Sequence, residues 1–151
     1  MTVVIRKPAE RDLMHFTRYA IEFTRCGVAD SAHSAGSKLL KERKDWAADH
    51  LFVEDESQCI LVAEEGGKVV GYVYGVVTKQ GALRIGRMEE IFVDEFYRRE
   101  GIGTKLVKGL TQWLDSRQVD RFEAASPPGV GKAEGFIHSL ELSTDNKDPL
   151  V

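Results

Sequence analysis

The apolar run Ile91-Phe92-Val93 stops at "YRREGIG", Tyr97 to Gly103, and the hydrophobic period then changes from strand-like to helix-like. Beyond the loop, Leu106, Val107, Leu110, Trp113 and Leu114 share one helical face, opposed by Lys105, Lys108, Gln112 and Asp115. A strand that turns through glycine into a helix aims several free backbone N–H groups at one point, and the helix dipole adds positive potential there. Such a cradle suits phosphate. Gly101 and Gly103 let the backbone approach an anion without a Cβ in the way. Arg98 and Arg99 offer charge-assisted donors, and Thr104 a hydroxyl near the helix start.

The rest of the chain surrounds this unit with a mixed fold. Val3, Val4 and Ile5 read as a short strand before Pro8. Leu13, Phe16, Ala20 and Phe23 recur at spacings of three and four, a helix opened by Pro8, Glu10 and Asp12 and closed by Gly27. A second helix, over 38–51, is rich in Lys, Glu and Ala, with a less clean apolar face. Strands follow at 59–63 and 69–77, joined by a hairpin at Glu65-Gly66-Gly67-Lys68. Gly71 and Gly75 mark bulges or close approaches. Gln80-Gly81 turns into a further strand ending at Val93, and strands at 122–125 and 136–142 complete the order β-α-α-β-β-β-α-β-loop-β. This predicts one α/β domain of the α+β type. Its twisted sheet is mostly antiparallel, flanked by helices, with one parallel crossover around the glycine loop.

With 151 residues the chain forms a single domain, a core over 3–142 and a polar tail over 143–151. A net charge of -3 argues against non-specific nucleic-acid binding, which needs a basic field. No run approaches a membrane span or a signal peptide, and Cys26 and Cys59 read as two reduced thiols of a cytoplasmic protein rather than as metal ligands.

Two nucleotide motifs fail at the residue level. A dinucleotide fingerprint, G-x-G-x-x-G, finds Leu106 at its third glycine, and the loop lies late in the chain. "SPPGVGKA" imitates a Walker loop, but Ser126 replaces its first glycine and Ala133 the required Ser or Thr. The segment Arg98-Arg99-Glu100-Gly101-Ile102-Gly103 instead resembles the R/Q-x-x-G-x-G/A signature of the GNAT superfamily of acyl-CoA-dependent N-acyltransferases. "MEEIFVDEFYRREGIGTKLV" is similar to that superfamily throughout its strand, loop and helix, and the element order agrees over residues 3–142.

The resemblance implies an N-acetyltransferase that moves an acetyl group from acetyl-CoA to a primary amine, without a metal. It implies that Arg98, Arg99, Glu100, Gly101, Ile102, Gly103 and Thr104 hold the diphosphate of coenzyme A. The pantetheine arm would lie along Ile91, Phe92 and Val93, bonding their main chain like an added strand. One of those N–H groups would polarise the thioester carbonyl. Glu89 falls where several members place a carboxylate, and is the first candidate base, with Glu90 second. A period of two puts Glu90 on the opposite face, although a bulge would shift the alternation. Both are also residues that a solvated strand could carry.

One stretch departs from the family. Residues 126–135 contain two prolines and three glycines but neither the Asn nor the Tyr that members carry there, so the helix before the last strand reads as shortened or absent. That Tyr protonates the leaving thiolate in the family. Here CoA thiolate leaves unassisted, or His138 on the last strand donates; Tyr97 packs at the loop. The thin loop and unpaired last strand predict a homodimer through 136–142. Acceptor choice belongs to the region 24–51, where Asp30, Glu42, Asp45 and Asp49 suit a cationic amine and equally a solvated helix face, and His33 and His50 add nothing definite. The missing Tyr also leaves an alternative, a catalytically impaired CoA-binding regulatory module of the same fold.

Overall fold

The structure, a computed structural model, describes residues 2–27, 36–51 and 55–124. Strand β1 (Val3–Arg6) leads through a 3-10 turn at Glu10–Asp12 into helix α1 (Leu13–Gly27), followed by α2 (Gly36–Leu51). Then come β2 (Gln58–Glu65), β3 (Lys68–Gln80), β4 (Leu83–Val93), a 3-10 turn at Glu95–Tyr97, α3 (Ile102–Ser116) and β5 (Arg121–Ala124). The expected last strand at 136–142, the segment 126–135, His138, Asp30, His33 and the tail lie outside the described residues.

The strands stand in sequence order, β1-β2-β3-β4-β5, antiparallel except for the parallel β4–β5 pair that brackets α3. This is the mixed, mostly antiparallel sheet expected from the sequence. Gly66 and Gly67 at the β2–β3 turn and Gly81 at the β3–β4 turn all have positive φ. Alternation along each strand divides two cores. On one face, Ala63, Val70, Val73 and Met88 meet Ile102, Leu106, Leu110 and Leu114 of α3. On the other, Ile60, Val62, Tyr72 and Phe92 meet Phe16 and Tyr19 of α1 and Ala47 and Leu51 of α2. The start of α1 departs from the sequence reading, with a 3-10 turn at Glu10–Asp12 before the helix proper. Asp12 accepts from the Ala9 amide at 2.6 Å and from Arg6 at 2.7 and 3.0 Å, which tightens the first turn and ties α1 to the edge of the sheet. The bond from Arg6 outweighs burial and holds the Asp12 carboxyl below its ordinary range.

Two glycines bring α3 close to the sheet. A Cβ on Gly75 would lie 2.5 Å from Cδ1 of Leu110, and one on Gly86 2.7 Å from Cδ2 of Leu114. Both leucines are fully buried. Gly75→Val is therefore expected to overpack this layer and cost ~1–3 kcal/mol, read as a lower urea midpoint at unchanged m-value.

Candidate functional site

The register between β3 and β4 slips once. Tyr74 pairs with Glu90 and Gly75 with Met88, which leaves Glu89 as the extra residue of a β-bulge. The bulge corrects the period-of-two reading. Glu90 reaches the face of α1 and α2, where Tyr72 donates to its Oε1 at 2.6 Å. Glu89 stays on that same side: it pairs at 3.3 Å with Arg87, which lies between Gly86 and Met88, the two residues turned toward α3. Two adjacent carboxylates thus share one face.

Their surroundings differ. Both oxygens of Glu90 are engaged: Arg43 donates from Nη2 to Oε1 at 2.7 Å and from Nη1 to Oε2 at 3.3 Å, beside the Tyr72 hydroxyl. Its side chain is 12% exposed, against 34% for Glu89, whose one ion pair is with Arg87 at 3.3 Å. Breaking a buried, bidentate pair costs far more than displacing a half-exposed one. Glu90 is an anchor, and Glu89 is the carboxylate available to a ligand. Burial, then the Glu90 charge and bond, push the Tyr72 phenol far above its ordinary range, so it stays a donor.

From Glu89, β4 presents a free edge. Its pairing with β5 runs only from Ile85↔Arg121 to Met88↔Ala124. Among the described residues nothing pairs with the outer edge beyond. Strand alternation decides which main-chain groups face it. The Phe92 carbonyl lies against Gly71 of β3, 2.7 Å from where a Cβ would stand, and the Asp94 amide donates to Val70 at 2.8 Å. Ile91 and Val93 therefore turn their N–H and C=O outward. Consistent with this, the Val93 carbonyl accepts from Arg98 Nε at 2.9 Å. Of the three strand residues singled out from sequence, Ile91 and Val93 offer main-chain groups to a ligand. Phe92 instead buries its ring against Tyr19, at 5.4 Å between centroids.

The edge runs into the glycine loop. Asp94 accepts from the Phe96 amide at 3.0 Å and from the Tyr19 hydroxyl at 2.9 Å, which fixes the turn. Burial alone would raise the Asp94 pKa; these bonds and the charges of Lys68 and Arg18 lower it. Arg99 and Gly101 take left-handed conformations, with φ of 69° and 80°. Gly101 is the N-cap of α3, and the first intrahelical bond joins Lys105 to its carbonyl at 3.1 Å. The amides of Ile102, Gly103 and Thr104 thus lack an intrahelical acceptor. Among the described residues nothing lies within 4 Å of a Cβ built on Gly101, so there the cradle is open as well as polar. Arg99 and Glu100 are exposed, Ile102 is buried under the helix, and Thr104 is half-buried. Arg98 is partly engaged within the protein. Its guanidinium lies over the Phe92 ring at 5.3 Å, with Nε tied back to the strand.

Sequence reasoning missed an aromatic wall beside the bulge, where Tyr74 pairs with Glu90. Trp46 and His50 of α2 stack at 4.8 Å, and both meet Tyr74 edge to face at 5.4 and 5.9 Å. The spacing Arg43, Trp46, Ala47, His50 is a helical face visible in the sequence. The acidic residues of the same helix, Glu42, Asp45 and Asp49, are exposed. Among the described residues no group of His, Cys, Asp or Glu is placed to hold a metal ion, and no helix is long and apolar enough to cross a membrane.

The model of the acetyltransferase (GNAT) family matches residues 28–140. A ribosomal-protein-alanine N-acetyltransferase from Brucella melitensis biovar Abortus 2308 superposes with a TM-score of 0.70 at 18% identity, over 92% of this chain and 90% of that one. An aminoglycoside N-acetyltransferase in complex with CoA gives 0.71 at 12% identity, over 92% and 86%. Glucosamine-6-phosphate N-acetyltransferase from Arabidopsis thaliana gives 0.66 at 18%, over 93% and 90%. No curated protein matches the sequence.

Proposed function

The chain belongs to the acetyltransferase (GNAT) family, and from that premise we propose that it moves an acetyl group from acetyl-CoA to a primary amine by direct attack, with Glu89 as the base. One observation carries the reading: a continuous track runs from Glu89 along the outward main chain of Ile91 and Val93 to the open amides at the start of α3. Its length and polarity suit a molecule with a diphosphate at one end, an amide-bearing arm and a thioester at the other. The similar aminoglycoside enzyme is in complex with CoA, and the acceptors named for the three similar structures all carry amino groups.

The amine arrives as an ammonium ion, and Glu89 takes one proton. The freed nitrogen lone pair attacks the thioester carbon, so a C–N bond forms as the carbonyl π pair moves to oxygen. The outward amide of Ile91, two residues from Glu89, is the donor nearest to that charge in sequence. Collapse breaks the C–S bond. The thiolate leaves, and the second nitrogen proton balances its charge; an ordinary thiol pKa of about 8.5 makes this departure feasible without a dedicated acid. Glu90, Arg43 and Tyr72 hold the bulge, and Glu89 with it.

Calorimetry with acetyl-CoA, followed by thiol release with a panel of amines, tests the proposal. Binding with release of one CoA per acetylated amine is expected. Binding without turnover across the panel would replace it with the alternative, a catalytically impaired CoA-binding regulatory module. No binding at all would overturn both.

A further inference from the structure

Resting on that reading, we propose that the acceptor carries two hydrogen-bond donors, the reacting amine and a second ammonium or hydroxyl group, and that His50 receives the second one. The acceptor class is then a diamine or an amino alcohol. His50 Nδ1 lies 2.8 Å from the Trp46 carbonyl oxygen. A carbonyl only accepts, so Nδ1 carries the proton, and in the neutral ring Nε2 is the bare acceptor, directed away from the helix backbone. Stacking on Trp46 and the edge contact with Tyr74 hold the ring in place. Among the described residues nothing bonds Nε2.

Tyr74 links His50 to the bulge. Its ring meets His50, its backbone pairs with Glu90 beside Glu89, and its hydroxyl donates to Gln58 Oε1 at 3.2 Å. His50, Tyr74 and Glu89 are all half-buried, so this wall is reachable. The cations beside it are engaged: Arg43 with Glu90 and the Ala20 carbonyl, Arg87 with Glu89. A ligand on this wall thus meets two acceptors, Glu89 and His50 Nε2. A donor at each end satisfies both. An amine bearing a carboxylate or phosphate in place of the second donor would set an acceptor against an acceptor.

The test uses one carbon chain with four ends: 1,3-diaminopropane, 3-aminopropan-1-ol, propylamine and β-alanine. Thiol release at pH 8 gives kcat/KM for each. The diamine and the amino alcohol are expected to exceed propylamine by about tenfold, the scale of one well-placed hydrogen bond, with β-alanine lowest. His50→Phe keeps the stacking and loses the acceptor nitrogen, so the diamine-to-propylamine ratio should fall to near one. His50→Gln, which returns an acceptor oxygen, should recover part of it. A ratio near one in the wild type, or a ratio unchanged in His50→Phe, would overturn the proposal. The same series is read without turnover from Trp46 fluorescence in a Trp113→Phe background. Ranked binding with no turnover would retain the two-donor seat and remove acetyl transfer. Absence of ranking by either route removes the seat.

Discussion

Glu89→Gln is expected to lower kcat by roughly 10²–10⁴-fold, while acetyl-CoA affinity stays within about twofold. The amide keeps the size of the side chain and its place in the bulge but cannot accept the ammonium proton. Glu90→Gln is the informative partner. Its carboxylate is bound by Arg43 and Tyr72, so the substitution should weaken the attachment of α2 and lower the melting temperature. The two variants should therefore separate: Glu89→Gln loses rate at wild-type stability, and Glu90→Gln loses stability. Stopped-flow thiol release and thermal unfolding on both proteins check this. Equal rate loss in both would mean that the carboxylates act as one unit.

The second large effect is expected at the loop. Gly101→Val should weaken acetyl-CoA binding by roughly 10–100-fold, the scale of losing one or two hydrogen bonds to a charged group. Crowding by the surrounding protein does not cause it, since a Cβ at Gly101 meets no described atom within 4 Å. The cause is the backbone: φ is 80°, a conformation costing a side-chain-bearing residue ~1–2 kcal/mol, so the peptide rotates and turns its amides away. The added methyl groups also enter the space an anion would fill. Gly81 supplies the control, with φ of 64°, no described atom within 4 Å of an added Cβ and a position in the β3–β4 turn, at the opposite end of β4. Gly81→Val should carry similar strain and leave affinity intact. Calorimetry on the pair separates local strain from loss of the cradle.

The strand–glycine–helix unit was legible because each part carries its own signal: an apolar run, left-handed glycine and a clean face from Leu106 to Leu114. Gly71 and Gly75 were legible as close approaches for the same reason, since only glycine tolerates them. The bulge was legible in part: Gly75 marked a possible bulge point, and the register does slip beside it, but Met88-Glu89-Glu90-Ile91 contains no glycine or proline to say that Glu89 is the extra residue. Which carboxylate is free followed from that slip and from Arg43, a single cation on a helix crowded with charges. Its partner lies 47 residues away, and no local pattern reports it. The aromatic wall was hidden by its ordinary appearance, because Trp46 and Tyr74 read as core residues and His50 as one more polar group.

The outward edge of β4 has one more consequence. Because Glu89 and Val93 belong to one hydrogen-bonded strand, the gap between the proposed base and the proposed anion cradle is a fixed span, about 13 Å of extended chain before the turn. The strand acts as a ruler. A donor whose arm is too short can reach the carboxylate or grip the amides, but cannot do both at once. For the proposed acetyl transfer, selection for the full-length carrier then lies in the geometry of a single sheet element, with no side chain required to recognise the arm.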